Sequence, residues 1–162
     1  MEKTRTPAHV IAQDDAFCLA RWYDTGLSVY RGAATVAHVQ QTIALCEQML
    51  RDSSKRITFV SIIERTSPAP AESTRRQLAS WSSNQVPRMA AAVLVAEGGG
   101  FRGALVRGVG VALTALAPHK VPFKFASTVV EAGDLLAPHI SSAHGGALEL
   151  RLAIAELRAG WR

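Results

Sequence analysis

The stretch "AAAVLVAEGGGFRGALVRGVG", residues 90–110, reads as a strand, a sharp turn and the start of a helix. A short apolar run stopped by glycines is the pattern of a buried strand. Gly98, Gly100 and Gly103 spell GxGxxG, and glycine admits the positive φ angles that such a turn requires. A helix N-terminus after that turn offers free N–H groups to an anion, so these three glycines are candidate anion-binding residues. Features around them oppose a dinucleotide site. The motif follows a late strand, and the next one, "VPFKFAST" (121–128), ends without the Asp or Glu that would hold a ribose. Glu97 places a negative charge where a pyrophosphate would lie. Ala104 and Leu105 stand where a Walker loop needs Lys and Ser or Thr. The motif therefore predicts a tight strand-to-helix turn, with Gly103 and Gly110 on one helical face.

Working outward, "RITFVSII" (56–63) is a second β-branched run with few polar breaks, as expected of a strand covered on both faces. The loop "ERTSPAP" leads from it into a helix, "AESTRRQLASWSSN", carrying Leu78 and Trp81. Upstream, Val36, Val39, Ile43, Cys46, Met49 and Leu50 recur at helical spacing over 35–52, with Thr35 as N-cap. "HVIAQDD", "AFCLARWYD" and "LSVYRG" read as opening strands turned at Asp14–Asp15, some close enough to merge. Downstream, a short helix, "VVEAGDLLAPHI", is capped by Ser127 or Thr128. After the Ser/Gly-rich "SSAHGG", a final helix carries Leu150, Ile154, Leu157 and Trp161 in line. Strands alternating with helices predict an α/β fold with a mixed, mostly parallel sheet of 4–5 strands, its antiparallel edge supplied by the opening strands.

That order of elements resembles the STAS-like fold of anti-sigma-factor antagonists and of the cytoplasmic domains of sulfate transporters. The segments "VSIIERTSPAPAESTRRQL", "AAVLVAEGGGFRGALVRGVGVAL" and "FKFASTVVEAGDLL" look like the small SpoIIAA-like proteins common in myxobacteria. The resemblance covers about residues 9–140. It divides the chain into a STAS-like domain (1–140) and a hinge with an extra C-terminal helix (141–162). It implies a non-enzymatic regulatory or scaffolding module that docks onto a partner protein, with no cofactor. In antagonists switched by phosphorylation, a Ser in an Asp-Ser-Ser-Gly-type motif follows the middle strand. The corresponding loop here lacks that pattern but offers Thr66 and Ser67 as candidate phosphorylation sites, where added charge would disrupt docking. Thr66, Ser67, Gly99, Phe101 and Arg102 are the candidate partner-binding residues. The competing class is a small-molecule or anion binder using the glycine-rich helix start at 98–103.

Composition narrows the remaining classes. The chain has 162 residues, 48% of them hydrophobic and 19% charged, which suits one globular domain with a real core. The net charge of +5 is carried by scattered arginines without interleaved aromatics, so no nucleic-acid partner is expected. "MEKTRTPAHV" has no apolar segment behind its charges, and the run 89–96 is too short to cross a bilayer, which predicts a cytoplasmic protein with no membrane insertion. Cys18 and Cys46, without CxxC or clustered His, read as buried free thiols. The five histidines lack ligand spacing and read as solvated or turn residues, with no metal site. Glu64 and Glu97 both end central strands, hence share one sheet edge, where helix capping or a salt bridge to Arg65 or Arg102 is expected. The apolar stripe of the last helix needs cover, either from its own domain or from a second copy in a homodimer.

Overall fold

The computed structural model describes residues 5–98 and 123–162. The candidate residues Gly99, Gly100, Phe101, Arg102 and Gly103, the expected helix 101–117 and His119 lie outside them. Within the described residues the elements run β1 (His9–Gln13), β2 (Phe17–Trp22), β3 (Thr25–Tyr30), α1 (Val36–Asp52), β4 (Thr58–Ile63), α2 (Glu72–Asn84), β5 (Ala91–Ala96), β6 (Phe123–Ala126), α3 (Val129–Leu136) and α4 (Gly146–Gly160).

All six strands form one sheet in the order β1-β2-β3-β4-β5-β6. The first two pairings are antiparallel and the remaining three parallel. The sheet is thus mixed as expected, but it has six strands among the described residues where the sequence suggests four or five. The opening strands stay separate because their turns are short and locally satisfied. Asp14 Oδ1 accepts from the backbone N–H groups of Ala16 and Phe17 at 2.7 and 2.9 Å, closing the first turn. Tyr23 and Asp24 make the second, with Tyr23 in the left-handed region at φ 49°.

Strand order follows chain order, so right-handed crossovers place successive helices on the same face. Helices α1 and α2 pack there over Phe17, Leu19, Phe59 and Ala92. The other face, built from Leu27, Val29, Val60, Ile62, Val93 and Val95, is covered by α3 and α4. Alternation along β4 explains why its run is almost wholly apolar: Phe59 serves one core and Val60 and Ile62 the other. Gly26, on β3 opposite Phe59, leaves that ring its space, since a Cβ there would lie 2.5 Å from Phe59 Cδ2.

Caps follow the expected chemistry. Thr35 Oγ1 accepts from His38 N while the Thr35 N–H donates to His38 Nδ1, a capping box in which His replaces the usual Glu or Gln. Of the two candidates for α3, Thr128 is the N-cap. The stripe of α4 is covered by its own chain: Leu150, Ile154, Leu157 and Trp161 are all buried against the sheet.

Candidate functional site

In-register parallel pairing sets Tyr30 beside Ile63 and Ile63 beside Ala96, so Arg31, Glu64 and Glu97 emerge together from one sheet edge. The ladder continues one step past the strands: Glu64 N–H donates to Tyr30 O and Glu97 N–H to Ile63 O. Both carboxylates are thereby fixed by backbone rather than by flexible loop.

Two arginines hold them. Arg31 Nε donates to Glu64 Oε2 at 2.9 Å and its Nη2 to Oε1 at 3.4 Å. From α4, Arg158 Nε reaches Glu64 Oε1 at 2.9 Å, and its Nη1 and Nη2 reach the two oxygens of Glu97 at 2.6 and 2.8 Å. Such planar, forked pairing is specific to guanidinium. Burial alone would raise the Glu64 pKa, but the bond from Arg31 and the charges of both arginines outweigh it and hold the carboxyl below its ordinary range. The bond to Glu97 correspondingly raises Arg158 further above its usual value. Glu64 and Glu97 are thus both salt-bridged, with Arg31 and Arg158 as cations; the expected partner Arg102 lies outside the described residues.

Arg31 also ties down the end of α4. Its Nη1 donates to Trp161 O at 2.8 Å, its Nη2 to Arg158 O at 3.4 Å, and its guanidinium lies 3.9 Å from the Trp161 ring centroid. These bonds satisfy carbonyls that a helix end leaves without partners. Trp161 Nε1 donates to Asp14 O at 2.8 Å, and Asp14 Oδ2 meets His38 Nε2 at 2.7 Å. Nδ1 accepts from the Thr35 N–H, which leaves Nε2 as the ring nitrogen that faces Asp14. Burial opposes the charge on Asp14, but the Ala16 N–H, His38 and Phe17 together lower its pKa. His38, 6% exposed and stacked on Phe17 at 4.5 Å, is neither the solvated nor the turn histidine that the sequence suggested.

The loop after β4 carries the described candidate partner-binding residues. Thr66 is exposed and donates its hydroxyl to Arg31 O at 2.7 Å. Ser67 is 2% exposed and donates to Gly32 O at 2.8 Å. Both side chains pin their loop to the turn after β3. Gly98 has φ +94°, which a glycine adopts freely, and a Cβ there would lie 3.3 Å from Arg65 Cγ. Among the described residues, no group of three or more His, Cys, Asp or Glu side chains is placed to hold a metal ion. Nor is any described helix long and apolar enough to cross a membrane.

Arg31 was legible in hindsight, since it follows β3 as Glu64 follows β4. Arg158 was not, because a residue flanking an amphipathic stripe has no address until the helix is docked. The Asp14–His38 contact joins a turn to a helix cap and leaves no periodic trace.

No protein-family model matches the chain, and no curated protein matches it. Among solved structures it is similar to an uncharacterized protein of the DUF3478 family, described as having a SpoIIAA-like fold, from Shewanella loihica PV-4. That similarity spans 83% of this chain and 98% of the other, at 16% sequence identity and a TM-score of 0.49.

Proposed function

We propose that the chain is a non-enzymatic, cytoplasmic regulatory or scaffolding module that binds a partner protein through the loops after β4 and β5. One observation carries this reading. Glu64 and Glu97, the paired carboxylates at the edge where α/β sheets hold ligands, are clamped by Arg31 and Arg158. Glu64, held ionised below its ordinary pKa with both oxygens bonded to arginines, is a poor proton donor near neutral pH and suits a structural platform better than acid–base chemistry. The β4 loop supports the same reading: its hydroxyls anchor it to the β3 turn, and a pre-ordered loop loses little freedom on docking. Phe101 and Arg102 complete the proposed surface, Arg102 pairing with an acidic group of the partner.

Affinity capture from the native cell tests this, with Thr66→Arg and Arg102→Glu as comparison baits. Proteins held by the native sequence and lost by both variants support the surface. Equal capture by all three overturns it. The anion-binding alternative is tested by thermal shift with phosphate, nucleotides and acyl ligands. A true ligand at a hundred times its Kd stabilises by about 2.7 kcal/mol. A homodimer formed by exchanging α4 would place the same stripe on the same sheet of a second copy. Light scattering of the full chain decides between one copy and two.

A further inference from the structure

Arg158 occupies a site that its own helix does not build. Glu64 and Glu97 are set by the ends of β4 and β5, held to the strand ladder by their own N–H groups. Between them they present acceptors to all three nitrogens of one guanidinium, Nε through Glu64 and the two terminal nitrogens through Glu97. Glu64 is only 11% exposed at its side chain and Glu97 25%, so the bonds are made largely out of water. Three donors in one plane against two fixed carboxylates match arginine and not lysine.

We propose that Glu64 and Glu97 form an arginine-binding site that Arg158 fills in cis, and that an arginine of the partner protein takes its place on docking. The second half rests on the docking reading above; the first stands by itself. The occupant sits in the last turn of α4, just before Gly160 ends the helix. The last turn of a helix opens at lower cost than its middle, and here opening also breaks the bonds from Arg31 to the Arg158 and Trp161 carbonyls. Its release leaves both carboxylates on the strands and leaves Arg31 bonded to Glu64, so the site persists without its occupant. The site also adjoins the β4 loop, because Arg31, which grips Glu64, accepts at its backbone carbonyl from Thr66. A partner seated on that loop is within reach of the two carboxylates.

Chemical rescue tests the assignment on the full chain. Arg158→Ala is expected to lower Tm, and millimolar ethylguanidinium to restore part of the loss where ethylammonium does not. Adding Glu97→Gln to that variant should raise the concentration needed for rescue about tenfold or more, the cost of one charge-assisted contact. No rescue, or equal rescue by both cations, overturns the site. Should Arg158→Ala fail to fold, ethylguanidinium is titrated into the native chain and hydrogen exchange followed. Faster exchange confined to Leu157–Trp161, with Val39–Met49 steady, supports the site. No change, or uniform acceleration, overturns it. If rescue succeeds but affinity capture finds no docking, the cis site stands and the partner-arginine half falls.

Discussion

Arg158 and Glu97 form a two-pronged ion pair, 2.6 and 2.8 Å between their paired atoms, that joins the last helix to the end of a central strand. The pair is three-quarters buried on both sides, so solvent screens it less than a surface bridge. The variants Arg158→Ala and Glu97→Ala, alone and combined, should reveal a coupling energy of about 1.5–3 kcal/mol by chemical denaturation. A coupling near zero would mean that the contact is incidental.

Acid should loosen the same edge. The folded Glu64 pKa lies below its ordinary value of 4.5 because Arg31 and Arg158 outweigh burial. The folded state therefore binds fewer protons than the unfolded chain, and stability rises with pH. The contribution is complete above about 4.5 and lost as pH falls through the lowered folded value. In thermal melts the native chain should exceed Glu64→Gln in Tm at pH 7, with the gap closing progressively below pH 4.5.

The contrast between β4 and α4 shows what a linear reading of this chain reaches. The run "TFVSII" identifies its strand because burial on both faces leaves it apolar along its whole length. Thr35 identifies the start of α1 because a hydroxyl just before a periodic stripe has one efficient use. That Glu64 and Glu97 share an edge follows from counting strands in one direction. Their partners do not follow, because Arg158 reaches them across ninety-four and sixty-one residues of chain, through the docking pose of a helix. His38 was misread for the same reason: its role depends on the Asp14 turn folding back over α1.

Cys18 and Cys46 are fully buried, and burial pushes their thiols up to about 11 and about 12. Thiolate is the reactive form, so both should resist a chromogenic disulfide reagent at pH 7.5 in the folded protein. Both should react promptly in denaturant. Rapid labelling of either in buffer would contradict the packing described for β2 and α1.

Gly26 is required by its neighbour rather than by its backbone angles. Gly26→Ala would drive a methyl to 2.5 and 2.6 Å from two ring carbons of Phe59. Phe59 is fully buried and meets Trp81 edge-on, so the ring has little room to yield. The substitution should cost about 1–3 kcal/mol by urea denaturation. Gly160→Ala, where a Cβ meets nothing within 4 Å, serves as the control and should be neutral or slightly stabilising.

Thr66 and Ser67 are adjacent hydroxyls with opposite prospects as modification sites. Thr66 is exposed and gives up only its bond to Arg31 O when altered. Ser67 is 2% exposed, with its hydroxyl turned onto Gly32 O, so a charge there must be buried or the loop must open. Thr66→Asp should therefore lower stability by no more than about 1.5 kcal/mol, the worth of one ordinary hydrogen bond. Ser67→Asp should cost about 3 kcal/mol or more, in the range of a buried charge without a partner. Urea midpoints of the two variants measure the difference, and the ordering matters more than either value. A kinase acting on the folded protein would reach Thr66, whereas modification of Ser67 would need the loop detached from the β3 turn first. Equal midpoints would show that Ser67 is solvent-accessible in solution.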